Sequence, residues 1–317
     1  MEVDPFSAPG KFWRGNLHTH STRSDGVLDP DEVARRYQLE GYDFLAMTDH
    51  FVGLYDYPLT NIQSSKNENF TTILGAELHT GAMENGEIWH LVAVGLPKNF
   101  MPPNAPDFQP RSDQETAAKI AIRARDAGAF VVVAHPEWSQ MSLADAESIK
   151  AAHAVEVYNH GCYAGCDRGY GFHVYEQLLL TGQKILLCAT DDAHFNEPDH
   201  FGGWVMVKAI ENSQNAILTA LKEGSYYSST GPDFHNVIWS ENHVEVSTSE
   251  ISTIILQGKG TRTVVRHGTS MTHNTLPFEK LMPFPWLRLT IVDGAGKRAW
   301  TIQFGALDSL KQQDKNE

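Results

Sequence analysis

The chain has 317 residues, with 25 Lys and Arg against 39 Asp and Glu, a formal net charge of -14 with histidine neutral. That length allows one large domain, or a large one beside a small one, with a sizeable core. The acidic balance argues against a sequence-independent grip on a nucleic-acid backbone or an anionic membrane, and 41% hydrophobic with 20% charged residues is globular composition rather than disordered, collagenous or membrane-embedded.

In chain order, Met1 to Gly10 carries early acids and two prolines and lacks the basic start and apolar centre of a secretory signal, so the expectation is a cytoplasmic protein. The longest apolar runs, such as Phe130 to Ala134, are strand-sized, and no membrane span is expected. Short β-rich segments then recur: Phe44 to Met47, Thr72 to Ala76, Trp89 to Val94, Phe130 to Ala134, Val155 to Tyr158, Ile185 to Ala189 and Trp204 to Ala209. Helical patterns lie between several of them, at Pro30 to Glu40, Gln114 to Ala127, Tyr170 to Leu180 and Ser213 to Glu223. The first of these helices has Asp29 as N-cap, Pro30 in its first turn, Asp31 and Glu32 at its positive end and Gly41 at its stop. Strand-helix alternation over this length predicts a closed or nearly closed α/β barrel whose site lies at the carboxyl ends of its strands. The expected large domain is 1–230.

From Gly231 the texture changes to short alternating segments, Val244 to Val246, Thr253 to Leu256 and Leu287 to Val292, and Asp293-Gly294 before Lys297 to Phe304 reads as a hairpin. Residues 231–317 are therefore expected to form a small β-rich region, either shaping the pocket or supporting an oligomer, with a polar, frayed tail at Lys311 to Glu317. Three cysteines, Cys162, Cys166 and Cys188, are too few and too odd in number for a disulfide framework and suit a reducing compartment.

Histidine is abundant, at 15. In Leu17-His18-Thr19-His20, an extended backbone turns both imidazoles to one side, where they can share a cation. Further metal-ligating residues follow near later strand ends: Asp25, His50 in Thr48-Asp49-His50, Glu77, His90, His135 in Ala134-His135-Pro136, and Asp192 with His194. Six histidines and three carboxylates so placed make chance a poor explanation, and the mixture of imidazole and carboxylate suits zinc, manganese or iron. Asp49 and Asp191, next to these residues, could orient imidazoles or act as capping acids. Candidate substrate contacts are Arg23, in the loop between His20 and Asp25, His79, on the strand face of Glu77, and Asn159 and His160, at the end of the strand carrying Glu156. His160, Cys162 and Cys166 invite a zinc reading, but the Gly-rich loop expected there offers no obvious fourth ligand for a separate site. Trp138, Tyr158, Tyr163 and Tyr170 are placed to stack on a base or leaving group at the same face, or to pack the loops.

His18-Thr19-His20 with Ser24-Asp25-Gly26, Thr48-Asp49-His50, Glu77, His90, Ala134-His135-Pro136 and Asp192-Ala193-His194 resemble, in order, the motifs of the PHP (polymerase and histidinol phosphatase) superfamily, from about Trp13 to about Ala209. The resemblance implies a distorted seven-stranded (βα)7-type barrel holding two or three divalent metal ions, used for phosphoester hydrolysis. It also implies one ion on His18, His20, Glu77 and Asp192, a second on Glu77, His90 and His135, and a third on Asp25, His50 and His194. A hydroxide held at Glu77, His18, His20 and Asp192 would attack the phosphorus, and no covalent nucleophile is needed. Asn16 stands where the family often has Asp.

Three divalent cations would outweigh three carboxylates, leaving a locally cationic pocket in an acidic protein. The expected function is a metal-dependent phosphoesterase acting on a small phosphomonoester or nucleotide-like phosphate. The same cluster could hydrolyse a carbamate, ester or cyclic phosphate, and a third reading is a non-catalytic or polymerase-accessory module.

Overall fold

A computed structural model describes residues 4–281 and 285–305; the tail read as frayed, 311–317, lies outside these residues. Strand β1 (Lys11–Asn16) leads through helix α1 (Pro30–Leu39) to β2 (Phe44–Met47), the short β3 (His50–Phe51), and the hairpin of β4 (Thr71–Ala82) and β5 (Ile88–Val94). Helix α2 (Ala117–Asp126), β6 (Phe130–Val133), α3 (Leu143–Ser148), β7 (Ala154–Asn159), α4 (His160–Cys166), α5 (Phe172–Leu180), β8 (Leu186–Thr190), β9 (Trp204–Ala209) and α6 (Gln214–Glu223) follow. The remainder is β10 (Tyr226–Ser229), β11 (Phe234–Trp239), β12 (His243–Gly258), β13 (Thr263–Pro277), β14 (Trp286–Val292), β15 (Arg298–Thr301) and β16 (Phe304–Gly305). None of the described helices is long and apolar enough to cross a membrane.

Helix α1 shows the local signals acting together. The Asp29 carboxylate accepts the Asp31 N–H, Pro30 opens the helix, and Gly41 beyond its end takes φ +78°, which only glycine adopts without strain.

The strands form one mixed sheet with the order β11-β12-β14-β15-β10-β9-β1-β2-β4-β5-β6-β7-β8. Within the arc from β9 to β8, the pairs β9–β1, β4–β5 and β5–β6 are antiparallel and the others parallel. The strand-helix repeat expected from the sequence is thus broken by a long hairpin. No ladder joins β8 to β9 among the described residues. Side chains tie β8 to β10 instead: Tyr226 Oη donates to the Leu187 carbonyl and the Ala189 N–H donates to Ser228 Oγ.

The core lies in layers. Leu17, Phe44, Val92, Val132, Cys188 and Val205 belong to one cluster, and a second, including Leu91, Val131, Val155 and Leu187, packs with residues of α2, α3 and α5. A third is built from the later strands, with Val246, Ile254, Leu289 and Ile291, and the N-terminal Phe6 and Phe12 pack on it through Tyr227.

Two expectations change. The separate segments at 244–246 and 253–256 are parts of the single strand β12, whose ladder with β13 shifts register on either side of Ile251; such shifts break the alternation a sequence pattern relies on. The Gly-rich stretch after Asn159 is helical, because the Asn159 side chain caps α4 by accepting the Cys162 N–H.

His153 stitches the base of the sheet. Its Nδ1 accepts the Val131 N–H, its own N–H donates to the Val131 carbonyl, and its carbonyl accepts the Leu186 N–H. Burial, with Lys222 and Arg125 nearby, holds its pKa down to about 4 from 6.5. Between those values the unfolded chain binds the proton and the folded chain does not, so stability falls as the pH drops through that window. An Asn at 153 keeps an acceptor without a titrating ring. Thermal unfolding of wild type and His153→Asn should converge by roughly 1 to 2 kcal/mol as the pH is lowered from 6.5 to about 4, allowing for partial exposure; parallel profiles would contradict this role.

Candidate metal centre

The two histidines of Leu17-His18-Thr19-His20 lie just beyond β1, which ends at Asn16, rather than within it. Extended geometry nevertheless persists because the backbone is clamped on both sides. Thr19 bridges Ala193, the His20 N–H donates to the Ala193 carbonyl and the Asp192 N–H to the His18 carbonyl. On the other side the Thr19 N–H donates to Thr48 Oγ1 and the Thr48 N–H to the Thr19 carbonyl. His50 on β3 pairs in register with Glu77 on β4, and His79 faces His90 across the β4–β5 hairpin. His135 follows β6, and Asp192 and His194 follow β8.

Glu77, fully buried, sits at the centre. Its Oε1 lies 2.8 Å from His90 Nδ1 and 3.1 Å from His135 Nε2, and its Oε2 lies 2.6 Å from His50 Nδ1, 3.5 Å from His18 Nε2 and 3.6 Å from His20 Nε2. Asp192 Oδ1 lies 2.9 Å from His20 Nε2 and 3.2 Å from His18 Nε2, while Asp25 is 3.2 Å from His50 Nε2 and 3.3 Å from His194 Nε2. All nine residues expected to ligate metal therefore meet in one cluster. Three overlapping groups within it have the spacing of metal ligands: His20, Asp25, His50 and His194; His50, Glu77, His79 and His90; and His18, His20 and Asp192.

The donor set fits cations. His18 Nε2 and Glu77 Oε2 are buried without a hydrogen-bond partner, a costly state for a lone pair, and an ion between them would satisfy both. With bonds of about 2.1 Å, tetrahedral ligand atoms lie about 3.4 Å apart, close to the separations above. His135 and Asp192 also hold positive φ, at 26° and 56°, strain of the kind that collects at functional sites.

In the absence of a bound cation, protons would balance the carboxylates of the cluster. Burial works against charged His50 and His194, but Glu77 and Asp25 raise the first to about 10, and Asp25 and Asp192 raise the second to about 9. Burial together with the His194 and His50 imidazoles lowers His20 to about 4. Burial also opposes charge on Glu77 and Asp192, yet the surrounding histidines hold both well below the usual carboxylate range.

Sequence reasoning underrated Glu156. Its Oε1 accepts from His18 Nδ1 at 2.8 Å and from Thr190 Oγ1, and its Oε2 accepts from the His135 N–H and from Asn159 Nδ2. It fixes the His18 tautomer with Nε2 inward. The available signal was an acid inside an apolar strand. A register shift between Glu156 and Tyr158 then brings Asn159 to the same side.

Asp49 and Asp191 do not touch imidazoles. Asp49 accepts from Ser21, Ser24 and Thr60, and Asp191 from Tyr37 Oη and the N–H groups of Phe201, Gly202 and Gly203, so both shape loops. Gly202 is required there, since a Cβ would lie 2.2 Å from the His160 ring.

The cluster floors a cavity of about 660 Å³ walled by Phe108, Trp138, Glu87, Glu197 and Asp199, among others, with no Lys or Arg among its described lining residues. Of the expected substrate contacts, Arg23, His79, Asn159 and His160 lie outside that lining. Arg23 is exposed, His79 lies beneath the floor, Asn159 is committed to Glu156, Asp192 and the α4 cap, and His160 Nδ1 pairs with Tyr158 Oη. Tyr158, Tyr163 and Tyr170 pack on one another, leaving Trp138 as the member of the expected aromatic set on the wall. His160, Cys162 and Cys166 belong to none of the metal-type groups among the described residues.

No protein-family model matches the chain. A 5'-3' exoribonuclease from Haemophilus influenzae is 33% identical over 85 residues, 26% of this chain, and the match spans only 29% of that enzyme's length. A two-domain protein from Bacteroides vulgatus containing a predicted PHP-like metal-dependent phosphoesterase superposes with a TM-score of 0.52 at 16% identity, covering 96% of this chain and 99% of that one. An amidohydrolase from Chromobacterium violaceum gives a TM-score of 0.39 at 15% identity, over 57% of this chain and 87% of its own. The Bacteroides likeness is one of fold, and it agrees with the PHP resemblance carried by the motifs.

Two outcomes test the cluster. Because His50 and His194 keep protons up to about 10 and about 9, metal uptake releases them, so affinity should rise with pH through neutrality, by about tenfold per unit for each proton displaced. Chelator competition across pH measures this, and a flat profile would count against it. In Glu156→Gln an amide NH2 must face donors, so zinc affinity at the His18 position should fall about 10- to 100-fold, read by the same competition.

Proposed function

We propose, for a chain with the fold of a PHP-like phosphoesterase protein, a metal-dependent hydrolase that cleaves a small phosphomonoester or nucleotide-like phosphate. The observation that carries this is Glu77, buried among imidazoles, with Asp25 and Asp192 in the same cluster, on the floor of a cavity with no Lys or Arg among its described lining residues. His18, His20, Glu77 and Asp192 would hold one ion, Glu77, His90 and His135 a second, and Asp25, His50 and His194 a third, as zinc, manganese or iron. Such ions supply positive charge for a phosphoryl group and lower the pKa of water toward neutrality.

The protein's own residues do the rest. Glu156, Ser139 and the Asp192 carbonyl orient His18, His135 and His194 through their outer nitrogens. Trp138 packs over His90 and His135, and Phe108 over His50 and His79, so a leaving group lies between two aromatic walls. The acids Glu87, Glu197 and Asp199 disfavour a long polyanion. A thiolate route is not favoured, because burial and Asp192 push the Cys162 thiol far above its usual range. The arc from β9 to β8 is read as a distorted (βα)7-type barrel, 1–230 as the hydrolase unit, and 231–317 as a β-rich companion. The free cysteines suit a cytoplasmic setting.

Phosphate release by metal-reconstituted protein tests the reading across sugar phosphates, mononucleotides, cyclic nucleotides, an aryl phosphate and a short oligoribonucleotide, the last prompted by the exoribonuclease likeness. One monophosphate class should turn over and the oligoribonucleotide should be slower. His18→Ala should lose roughly a thousandfold or more, the scale of several kcal/mol of charge stabilisation. Metal-loaded protein that releases no phosphate but cleaves esters or carbamates would replace phosphoryl with carbonyl hydrolysis.

A further inference from the structure

Five imidazoles of the cluster turn Nε2 to a carboxylate, and in each Nδ1 meets a further partner, Ser24 Oγ at 3.5 Å in the case of His20. His18 Nδ1 meets Glu156 Oε1 at 2.8 Å, His194 Nδ1 the Asp192 carbonyl at 2.9 Å, and His135 Nδ1 Ser139 Oγ at 3.1 Å, a hydroxyl that itself donates to the His135 carbonyl. These partners are ordinary acceptors. The partner of His50 Nδ1 is another imidazole, His79 Nε2, at 2.8 Å.

We propose that His79 is a positioning residue for His50, its Nε2 lone pair accepting the His50 Nδ1–H and so holding His50 in the tautomer whose Nε2 faces Asp25. This rests on the reading above that cations occupy the cluster. Glu77 Oε2 is nearer to His50 Nδ1, at 2.6 Å, yet that oxygen has no hydrogen-bond partner, so the N–H is directed at His79. That leaves Glu77 Oε2 free for a cation.

The one competing task for His79 is that of a ligand in the group His50, Glu77, His79 and His90. His79 is fully buried, its Nδ1 has no hydrogen-bond partner, and it lies outside the cavity lining. Its ring is fixed edge-on by His90, its partner across the hairpin, at 4.3 Å and 86°, and by Phe108 at 5.1 Å and 82°. A buried polar atom left unpaired needs a compensating role, and a ring locked this way presents Nε2 in one direction only. The outer partner of a ligating histidine sets its tautomer and basicity, and losing it costs about 10- to 100-fold in metal affinity.

Zinc binding by the full chain tests this, with each equivalent resolved by chelator competition. In His79→Leu the equivalent held by Asp25, His50 and His194 should weaken about 10- to 100-fold while the others keep their affinity, which also shows the variant is folded. In His79→Gln, whose side-chain oxygen can accept the same N–H, binding should return close to wild type. Loss in both variants would make His79 itself a ligand and overturn the proposal, as would wild-type affinity in His79→Leu. Nitrogen NMR of His50 in the zinc-loaded wild type needs no variant: a proton on Nδ1 is expected, and one on Nε2 overturns the proposal. Wild-type protein that takes up no zinc would overturn the proposed function and this inference together, whereas normal uptake with an insensitive His79→Leu overturns the inference alone.

Discussion

Burying a carboxylate costs several kcal/mol unless opposite charge or a ring of donors is buried with it. Glu77 is fully buried, and the architecture around β4 can be followed from that cost. Both Glu77 oxygens face imidazoles delivered by separate elements: His50 from β3, His90 from β5, His135 after β6, and His18 and His20 after β1. A regular barrel brings ligands only at parallel strand ends. Here the antiparallel β4–β5 hairpin instead sets His90 directly across from His79, which puts ring contacts under the cluster as well as around it.

The same economy of desolvation governs what stands behind the cluster. Glu156 is as deeply buried as Glu77, and four donors converge on it, so it orients His18 while remaining satisfied. Asp191 and Asp49 spend their lone pairs on backbone N–H groups and hydroxyls of the loops that carry Asp192, His194 and Asp25. Those loops are consequently fixed from below, which is what allows Asp192 to persist at positive φ.

Much of this was legible in the residues. His18, His20, His50, His135, Asp192 and His194 announce themselves because metal-type side chains beside strand-sized apolar runs have few structural uses. The α1 signals were equally plain, since capping is local. Harder to read was anything depending on register. Glu156 and Asn159 share a side because of the shift before Tyr158; Asn159 could therefore be noticed, but not its bonds to Glu156, Asp192 and the α4 cap. The β12–β13 ribbon was fragmented in the sequence by the shifts around Ile251 and by the exposure of β13 on both faces, which erases the period-two pattern. His79 was visible as a residue on the Glu77 face, but that its partner is His50 rather than a substrate follows from three-dimensional packing alone.

Global and local charge pull in opposite directions in this molecule, and distance decides between them. The net charge is -14, and for exposed charges screening over about 8 Å at physiological ionic strength confines each one's reach. The cluster lies at the bottom of a cavity with low-dielectric aromatic walls at Phe108 and Trp138, where a charge acts with much less screening. A small anion that reaches the floor is governed by the cluster. A polyanion must also lie against Glu87, Glu197 and Asp199 along the wall, with no Lys or Arg among the described lining residues to offset them. On the proposed reading, the acidic surface and the cationic floor act together as a filter on substrate length, admitting one phosphate and resisting a chain of them.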